Sequence, residues 1–446
     1  MTWTTVALRD IGRWSGGGTP SKGRPEFWTE GTIPWLSPKD MRGEVLHDTK
    51  DHITPEAVVQ SAARLVPSGS VAVVTRSGIL ERTLPVAYVP FETTLNQDLR
   101  AVVARPDVDP RWIAWGLRRY EREILATTRK AGTTVASIEV PRLMAFPLPV
   151  PRLQEQRRIV EILEEHLSHL DAATIGLQRA KVRSSRLWKA HITRRILPGT
   201  ARQVLSGEPS ALGGVAAPHH PLPLGWAWRQ WSEIGHSQNG KAFPSSDYED
   251  HGVRLLRPGN LHANGSLHWM ARNTRSVSEV YRTTHASILL RPGDLVMNLT
   301  AQSLADDFLG RACMVGAGDE SLLNQRLARL TASAVEPDYA LAVFRSGLFR
   351  HYVKSLSTGS LIQHMFTKQV DRFWFPVAPL DVRTAIVAES HDIQSNVDRI
   401  LASIILQHER VVGLRRAVLA AAFEGKLTGR HTDQEIIEET ALGATS

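Results

Sequence analysis

Cysteine is almost missing: Cys313 is the only one in 446 residues. A lone thiol excludes an intrachain disulfide and a multi-cysteine metal cluster. Its setting, LGRACMVGAG, reads as small buried filler rather than a nucleophile. Metal-binding spacings are missing too. There is no H-E-x-x-H and no C-x-x-C, and His219-His220 sits in the proline-rich VAAPHHPLPLGW, where an exposed pair is expected. No apolar run approaches the length that spans a bilayer, and the start lacks the basic-then-apolar layout of a secretion signal, so the expected location is the cytoplasm. The nucleotide cradle G-x-x-x-x-G-K-S/T is approached but not reached. Gly18-Thr-Pro-Ser-Lys-Gly23 is followed by Arg24 and Pro25, and the proline removes a backbone N–H that phosphate would need.

Other catalytic constellations fail in the same way. No G-x-S-x-G elbow occurs, nor a glycine-rich strand-to-helix loop for S-adenosylmethionine, nor an Asn/Asp-Pro-Pro-aromatic loop that grips a flipped base. Glu424-Gly-Lys426 fits a minimal E-x-K nuclease signature, yet it closes a long helical pattern without a companion aspartate and reads as a helix terminus. The chain reads as a binding and positioning protein without an active site.

What is present is length, positive charge and repetition. A chain of this size exceeds one ordinary core and suggests two or three domains. Hydrophobic residues at 42% and charged residues at 22% are those of a globular protein. The formal charge of +8 and pI near 9.8 favour a polyanionic partner, because neutralising phosphates supplies affinity independent of sequence. Residues 430–446, with Asp433, Glu435, Glu438 and Glu439, are expected to form an acidic, solvated and frayed tail.

The second half repeats the first at an offset of about 227 residues. WTTVALRDIGRWSGGGTPS is matched by WAWRQWSEIGHSQNGKAFPS, and IPWLSPKDMRGEV by VRLLRPGNLHANGSL. TTLNQDLRAVVA falls on SLLNQRLARLTA, which places Asn96-Gln97 on Asn324-Gln325. VPSGSVAVVTRSG, the segment around Gly132, and FPLPVPRLQEQRRIVEIL find partners in LRPGDLVMNLTAQS, the segment around Gly359, and FPVAPLDVRTAIVAES. The ordered matches identify a tandem duplication.

Each copy has one grammar. Short apolar runs cut by Gly, Pro, Asn and Asp read as strands and turns, with one helix at 110–126 and its counterpart at 337–354. A proline-bounded segment then opens a long helix. In the second helix Ile393, Val397, Ile400, Ile404, Gln407, Val411, Leu414, Val418 and Ala421 step by four and three, the spacing of a coiled-coil stripe. In the first, Leu163, Leu167, Leu170, Leu177 and Leu187 form a weaker stripe, and Gly199 and Gly429 are the expected helix stops. The expected fold is α+β, with mixed α/β globules at 1–150 and 225–378, long helices at 151–199 and 379–429, and a linker at 200–224. If the helices run antiparallel, the duplication has an approximate twofold axis, and helices of about 40 residues span roughly 60 Å.

These motifs resemble those of a known family. GGGTPSKGRPEFWTEGTIPWLSPKDM, the LNQDLRA and LNQRLAR segments, AGTTVASI, PLPVPRLQEQRRIVEIL and LPLGWAWRQWSEIG look like the specificity (S) subunits of type I restriction-modification systems, over nearly the whole chain. The second junction, PLDVRTAIV, lacks the Glu-Gln pair, and QNGKAFPSS lacks the glycine cluster. The resemblance implies two target recognition domains that read the halves of a split, asymmetric DNA site, with the helix pair as spacer. It implies a non-catalytic subunit that holds two adenine methyltransferase subunits and restriction/translocase subunits, with S-adenosylmethionine, ATP and magnesium belonging to those partners. A coiled-coil scaffold for protein partners, with a basic surface and no sequence-specific reading, is the alternative.

Basic and amide side chains on loops are the candidate DNA contacts, because Arg and Lys match guanine edges, Asn and Gln match adenine edges, and either can hold phosphate. In the first copy these are Lys22, Arg24, Lys39, Arg76, Ser77 and Thr133. In the second they are Lys241, Arg257, Asn260, Asn298, Thr300 and Ser360. Gly16 to Gly18 are expected to give the first loop turn freedom. Asn96 and Asn324, shared by two copies that would read different sequences, are expected to be structural, as is Trp35. The bases on the first helix, Arg179, Lys181, Arg183, Arg186, Lys189, Arg194 and Arg195, read mainly as a charged face.

Overall fold

The computed structural model describes residues 3–130, 135–304, 307–356, 363–427, 433, 436–438 and 441. The chain divides into two compact units, residues 1–177 with 407–446, and residues 178–406. Each unit thus takes part of both long helices, Leu153–Ile196 and Leu380–Phe423.

In the first unit the fully buried run Ser70–Val74 lies inside a four-stranded antiparallel sheet ordered Gly12–Gly16, Leu99–Ala104, Ser70–Val74, Val86–Val89. A second sheet is ordered Asp51–Ile53, Ile33–Leu36, Thr93–Leu95, Leu65–Val66, and its central pair is parallel, with Trp35 opposite Thr94 and Leu36 opposite Leu95. Strand Thr5–Ala7 closes on Pro147–Pro149. The helix expected at 110–126 is two helices, Pro110–Arg119 and Glu121–Thr128. The break is at Tyr120, at φ −95° and ψ 13°, whose ring is held by Phe146 and Phe423 at 5.7 and 6.0 Å between centroids.

The second unit repeats this plan. Its sheets are ordered Gly235–Asn239, Leu327–Ala332, Leu295–Asn298, Ala312–Met314, and Tyr248–Glu249, Ser276–Val277, Val253–Leu256, Ser321–Leu323, Leu289–Leu290. The parallel pair recurs, with Leu255 opposite Leu322 and Leu256 opposite Leu323. The helix at 337–354 is again broken, into Pro337–Arg345 and Gly347–Lys354, because the Ser346 hydroxyl leaves the helix to accept from the Leu348 amide at 3.2 Å. Residues 200–224, expected as a linker, carry helix Ala201–Ser206 and a 3-10 turn at Pro209–Gly213. Val204 and Leu212 enter the core beside Tyr352.

Polar tethers show how the copies diverged around one frame. Trp112 donates its indole N–H to the Pro149 carbonyl at 2.9 Å, and at the same place in the second unit Tyr339 donates its hydroxyl to the Pro376 carbonyl at 2.8 Å. In the first unit the buried Gln156 accepts from the Asp109 amide at 2.8 Å and donates to the Asp107 carbonyl at 3.1 Å. The second unit has Arg383 instead, ion-paired to Glu336 at 3.1 Å and donating to the Ala334 carbonyl at 3.2 Å. The Glu-Gln pair missing from the second junction is therefore replaced by another lock. Arg111 pairs with Glu164 at 3.0 Å, and at the corresponding place the acid and the nitrogen base are exchanged, with Asp338 3.2 Å from His391.

The helical stripes are buried unevenly. In the first unit Leu163, Leu167 and Val418 are buried, with Leu170 and Leu414 packed against the same core. In the second, Val397 is buried and Ile393 packs beside it. Leu177, Ile404 and Val411 are half-buried, and Ile400 is exposed. Leu187 is also exposed, while its neighbour Trp188 points inward with Ile192 and Ile196. The reason is that Trp188, Ile192 and Ile196, at steps of four, pack into the same core as Tyr339 and Phe344, so this part of the stripe serves the globule as well as the other helix. The bases near this end are partly committed: Arg195 makes a two-point pair with Glu389 at 2.9 Å for each bond, and Lys189 pairs with Asp307.

The first long helix ends at Ile196 before Gly199, which has φ +78°. The second ends at Phe423, and Gly425 at φ +69° makes the turn; Gly429 lies outside the described residues. Described parts of the acidic tail are not frayed. Ile437 and Asp433 are buried, and Glu438 lies 3.5 Å from Arg410, because Ile436-Ile437 supplies an apolar pair that joins the first unit's core. Cys313 is buried, which pushes its thiol up to about 12 and suits filler rather than a nucleophile. Among the described residues no helix is long and apolar enough to cross a membrane.

Candidate nucleic-acid interface

The loops of each unit converge on one turn. Asn96 accepts the Asp98 amide on its side-chain oxygen at 2.6 Å, and Asn324 does the same for Arg326 at 3.2 Å. This local ring fixes the chain reversal after the parallel strand. The asparagines recur because they build the turn. The glutamine that follows is also shared, and the next residue differs: Asp98 in one unit, Arg326 in the other.

Gly17 and Gly18 pass directly over the first of these turns. The Gly18 amide donates to the Leu95 carbonyl at 2.8 Å, and a Cβ on Gly17 would lie 2.1 Å from the Asn96 carbonyl oxygen. A Cβ on Gly240 would lie 2.2 Å from the Asn324 carbonyl oxygen, and the Lys241 amide donates to Leu323 at 3.0 Å. These glycines admit close backbone approach, and neither Gly17 nor Gly18 has a positive φ. The second loop needs only one such glycine, so the missing cluster costs it nothing.

Around the first turn, Lys22 is exposed. Arg24 is spent on its own loop: it lies 2.7 Å from Glu26, whose carboxyl it holds below the usual range, and 4.1 Å from the centre of the Phe27 ring. Arg76 stands 3.6 Å from Asp98, and the Ser77 hydroxyl caps the turn at Gly78–Glu81. Lys39 lies at a shallow cavity of about 250 Å³ with Arg42 and Lys50, two bases that composition alone did not single out. Thr133 lies outside the described residues.

Around the second turn, Lys241 contacts His285 at 2.7 Å, and desolvation followed by the Lys241 charge lowers the imidazole pKa. Arg257 joins Phe243, Tyr248, Asn324, Gln325 and Arg326 in a cavity of about 210 Å³. Gln325 and Arg326 lie outside the candidates expected from sequence, and the change from LNQD to LNQR between the copies marks Arg326. Thr300 is half-buried in a strand pair with His364. Ser360 lies outside the described residues.

Two candidates are corrected. Asn260 and Asn298 are fully buried, and neither presents an amide edge to a ligand. Asn260 accepts from the Arg257 amide at 2.9 Å and donates to the His268 carbonyl at 3.3 Å, while Asn298 donates to the Thr300 and Phe308 carbonyls at 2.7 and 2.9 Å. Sequence pattern places an amide near a loop but does not say which way it faces. Asn298→Ala is expected to cost about 1–3 kcal/mol in chemical denaturation, because it strands two carbonyls, and to leave DNA sequence preference unchanged.

Residues 1–179 match the model of the type I restriction modification DNA specificity domain. Over those residues the chain is similar to the specificity subunits of type I restriction-modification systems. It is 44% identical over 179 residues to the EcoR124I/EcoR124II specificity subunit of Escherichia coli, a match covering 40% of this chain and 44% of that protein. The chain thus spans under half of that relative's length. The MjaVIII specificity subunit of Methanocaldococcus jannaschii is 19% identical over 435 residues, covering 95% of this chain and 93% of the relative. A structure described as "Structural basis underlying complex assembly and conformational transition of the type I R-M system" covers 96% of this chain and 98% of its own, with TM-score 0.70 and 18% identity. The fold of that structure therefore extends over both units.

Proposed function

We propose that the chain is the non-catalytic reading subunit of a type I restriction-modification complex, in which each unit reads one half of a bipartite, asymmetric DNA site. The observation that carries this is the repeated turn: one backbone frame, at Asn96 and at Asn324, is followed by Asp98 in one unit and by Arg326 in the other. A shared frame with different exposed groups is what two readers of different half-sites require. The long helices set the gap between half-sites, and about one helical turn of DNA, ~34 Å, would keep both on one face of the duplex. Two adenine methyltransferase subunits and restriction/translocase subunits are the partners in this reading, and they bring S-adenosylmethionine, ATP and magnesium. The net charge of +8 supports the DNA contact.

The test is co-expression with the cognate methyltransferase, followed by single-molecule sequencing of host DNA. Adenine methylation at one split motif is expected, and methylation that persists unchanged after deletion of this chain refutes the proposal. Within the first loop, Lys22→Ala is expected to reduce the slope of log affinity against log salt by about 1 if Lys22 holds a phosphate. Arg24→Ala should change that slope less, since Arg24 already faces Glu26. Filter-binding titrations at several salt concentrations compare the two.

A further inference from the structure

Each unit half-buries one arginine at the same point of the repeat, and among the described residues only the first has a carboxylate partner. Arg118 donates to the Gly43 carbonyl at 3.2 Å and lies 3.8 Å from Glu44. Arg345, its counterpart, donates to the Ala263 carbonyl at 3.2 Å, where the first unit has Gly43. The next residue, in place of Glu44, is Asn264, and its side-chain oxygen is turned back to Ser266 and His262. Arg345 instead meets the neutral Gln394 at 2.7 Å and the Trp188 ring at 4.0 Å. The carboxylate of Asp398 stands one amide away, accepting from Gln394 at 2.9 Å. Among the described residues none forms an ion pair with Arg345. Burial lowers its pKa to about 10, so it remains charged at neutral pH.

A guanidinium partly withdrawn from water without a counter-ion favours an anion beside it. Here it lines a cavity of about 250 Å³, larger than the roughly 30 Å³ share of one water. Among the described residues the charged lining is mostly of one sign: Lys189, Arg311, Arg345 and Arg350, with Asp307. Asp307 is engaged by Lys189 and by Arg350, the latter at 3.1 Å, while Arg311 reaches the Leu261 carbonyl at 3.2 Å. Trp188 and Phe344 supply apolar walls.

We propose that this cavity of the second unit binds a small free oxyanion, a phosphate or carboxylate in class, which takes the place that Glu44 holds in the first unit. The site is independent of the DNA-reading function, and its test uses neither DNA nor partner subunits. Thermal unfolding of the full chain is followed in inorganic phosphate and in chloride of equal ionic strength. Phosphate also stabilises proteins generally by exclusion from their surfaces, so the variants carry the discrimination. The wild type should show a saturable rise of about 2 °C or more in phosphate. Asn264→Glu, which restores the internal carboxylate, should raise the melting temperature in chloride and abolish the phosphate response. Arg345→Gln should also abolish that response. No saturable phosphate-specific rise in the wild type, or an equal rise in whichever variants fold, overturns the proposal.

Discussion

Gly17→Ala should lose about 3 kcal/mol of stability in the first unit, together with reading of the first half-site. The added Cβ would sit 2.1 Å from the Asn96 carbonyl and 2.4 Å from the Leu95 carbonyl, and both are backbone atoms. No rotamer relieves that clash, so the loop must lift from the turn and carry Lys22 with it. Gly23→Ala, in the same loop, meets nothing nearer than Ser21 Oγ at 3.7 Å and should stay within about 0.5 kcal/mol of the wild type. Gly240→Ala is the counterpart for the second unit. Denaturant titration and methylation of targets carrying one altered half-site measure the two effects separately. Wild-type stability in Gly17→Ala would refute the close approach.

Trp112→Ala is expected to cost about 4 kcal/mol. The indole is fully buried, stacked on Phe423 at 4.2 Å and edge-on to Trp3 at 5.6 Å, and its N–H satisfies the Pro149 carbonyl. Removing it opens a cavity where three segments of the first unit meet and leaves an acceptor unpaired. Tyr339→Phe in the second unit isolates the polar part, since it deletes only the hydroxyl that reaches Pro376. About 1–2 kcal/mol is expected there. Urea unfolding of both variants gives the comparison, and equal losses would show that the ring contributes little.

Much of the fold was legible in the sequence because duplication repeats patterns as well as residues. The long helices could be located from their heptad spacing and proline boundaries, and their observed limits, Leu153–Ile196 and Leu380–Phe423, fall inside the expected ranges. The breaks at Tyr120 and Ser346 were not legible, since the first depends on rings distant in sequence and the second on a hydroxyl choosing its own turn. The acidic tail misled through its charge: Ile436 and Ile437 join the first unit's core.

The site was less legible than the frame. The exposed Lys22 and Lys241 and the half-buried Arg257 lie on loops rich in glycine and proline, which the sequence already marks. Asn260 and Asn298 could not be told from readers, as a buried amide and an exposed one share the same letter and the same neighbours. Arg326 sits within the LNQ frame common to both copies, and only the change from LNQD to LNQR sets it apart.

The unlike locks at the two helix starts have a consequence for assembly. A chain made of two equal halves can mispair, with either globule seated on either helix start. Divergence has made the wrong seating unfavourable. Glu336 set beside Gln156 would lose its guanidinium, Arg111 beside His391 would set cation against imidazole, and Asp338 beside Glu164 would oppose two carboxylates. The same few side chains that fasten each globule therefore act as an address. Recombinant chains that exchange one globule should keep its own helix start with it, or they will carry a key cut for the other door.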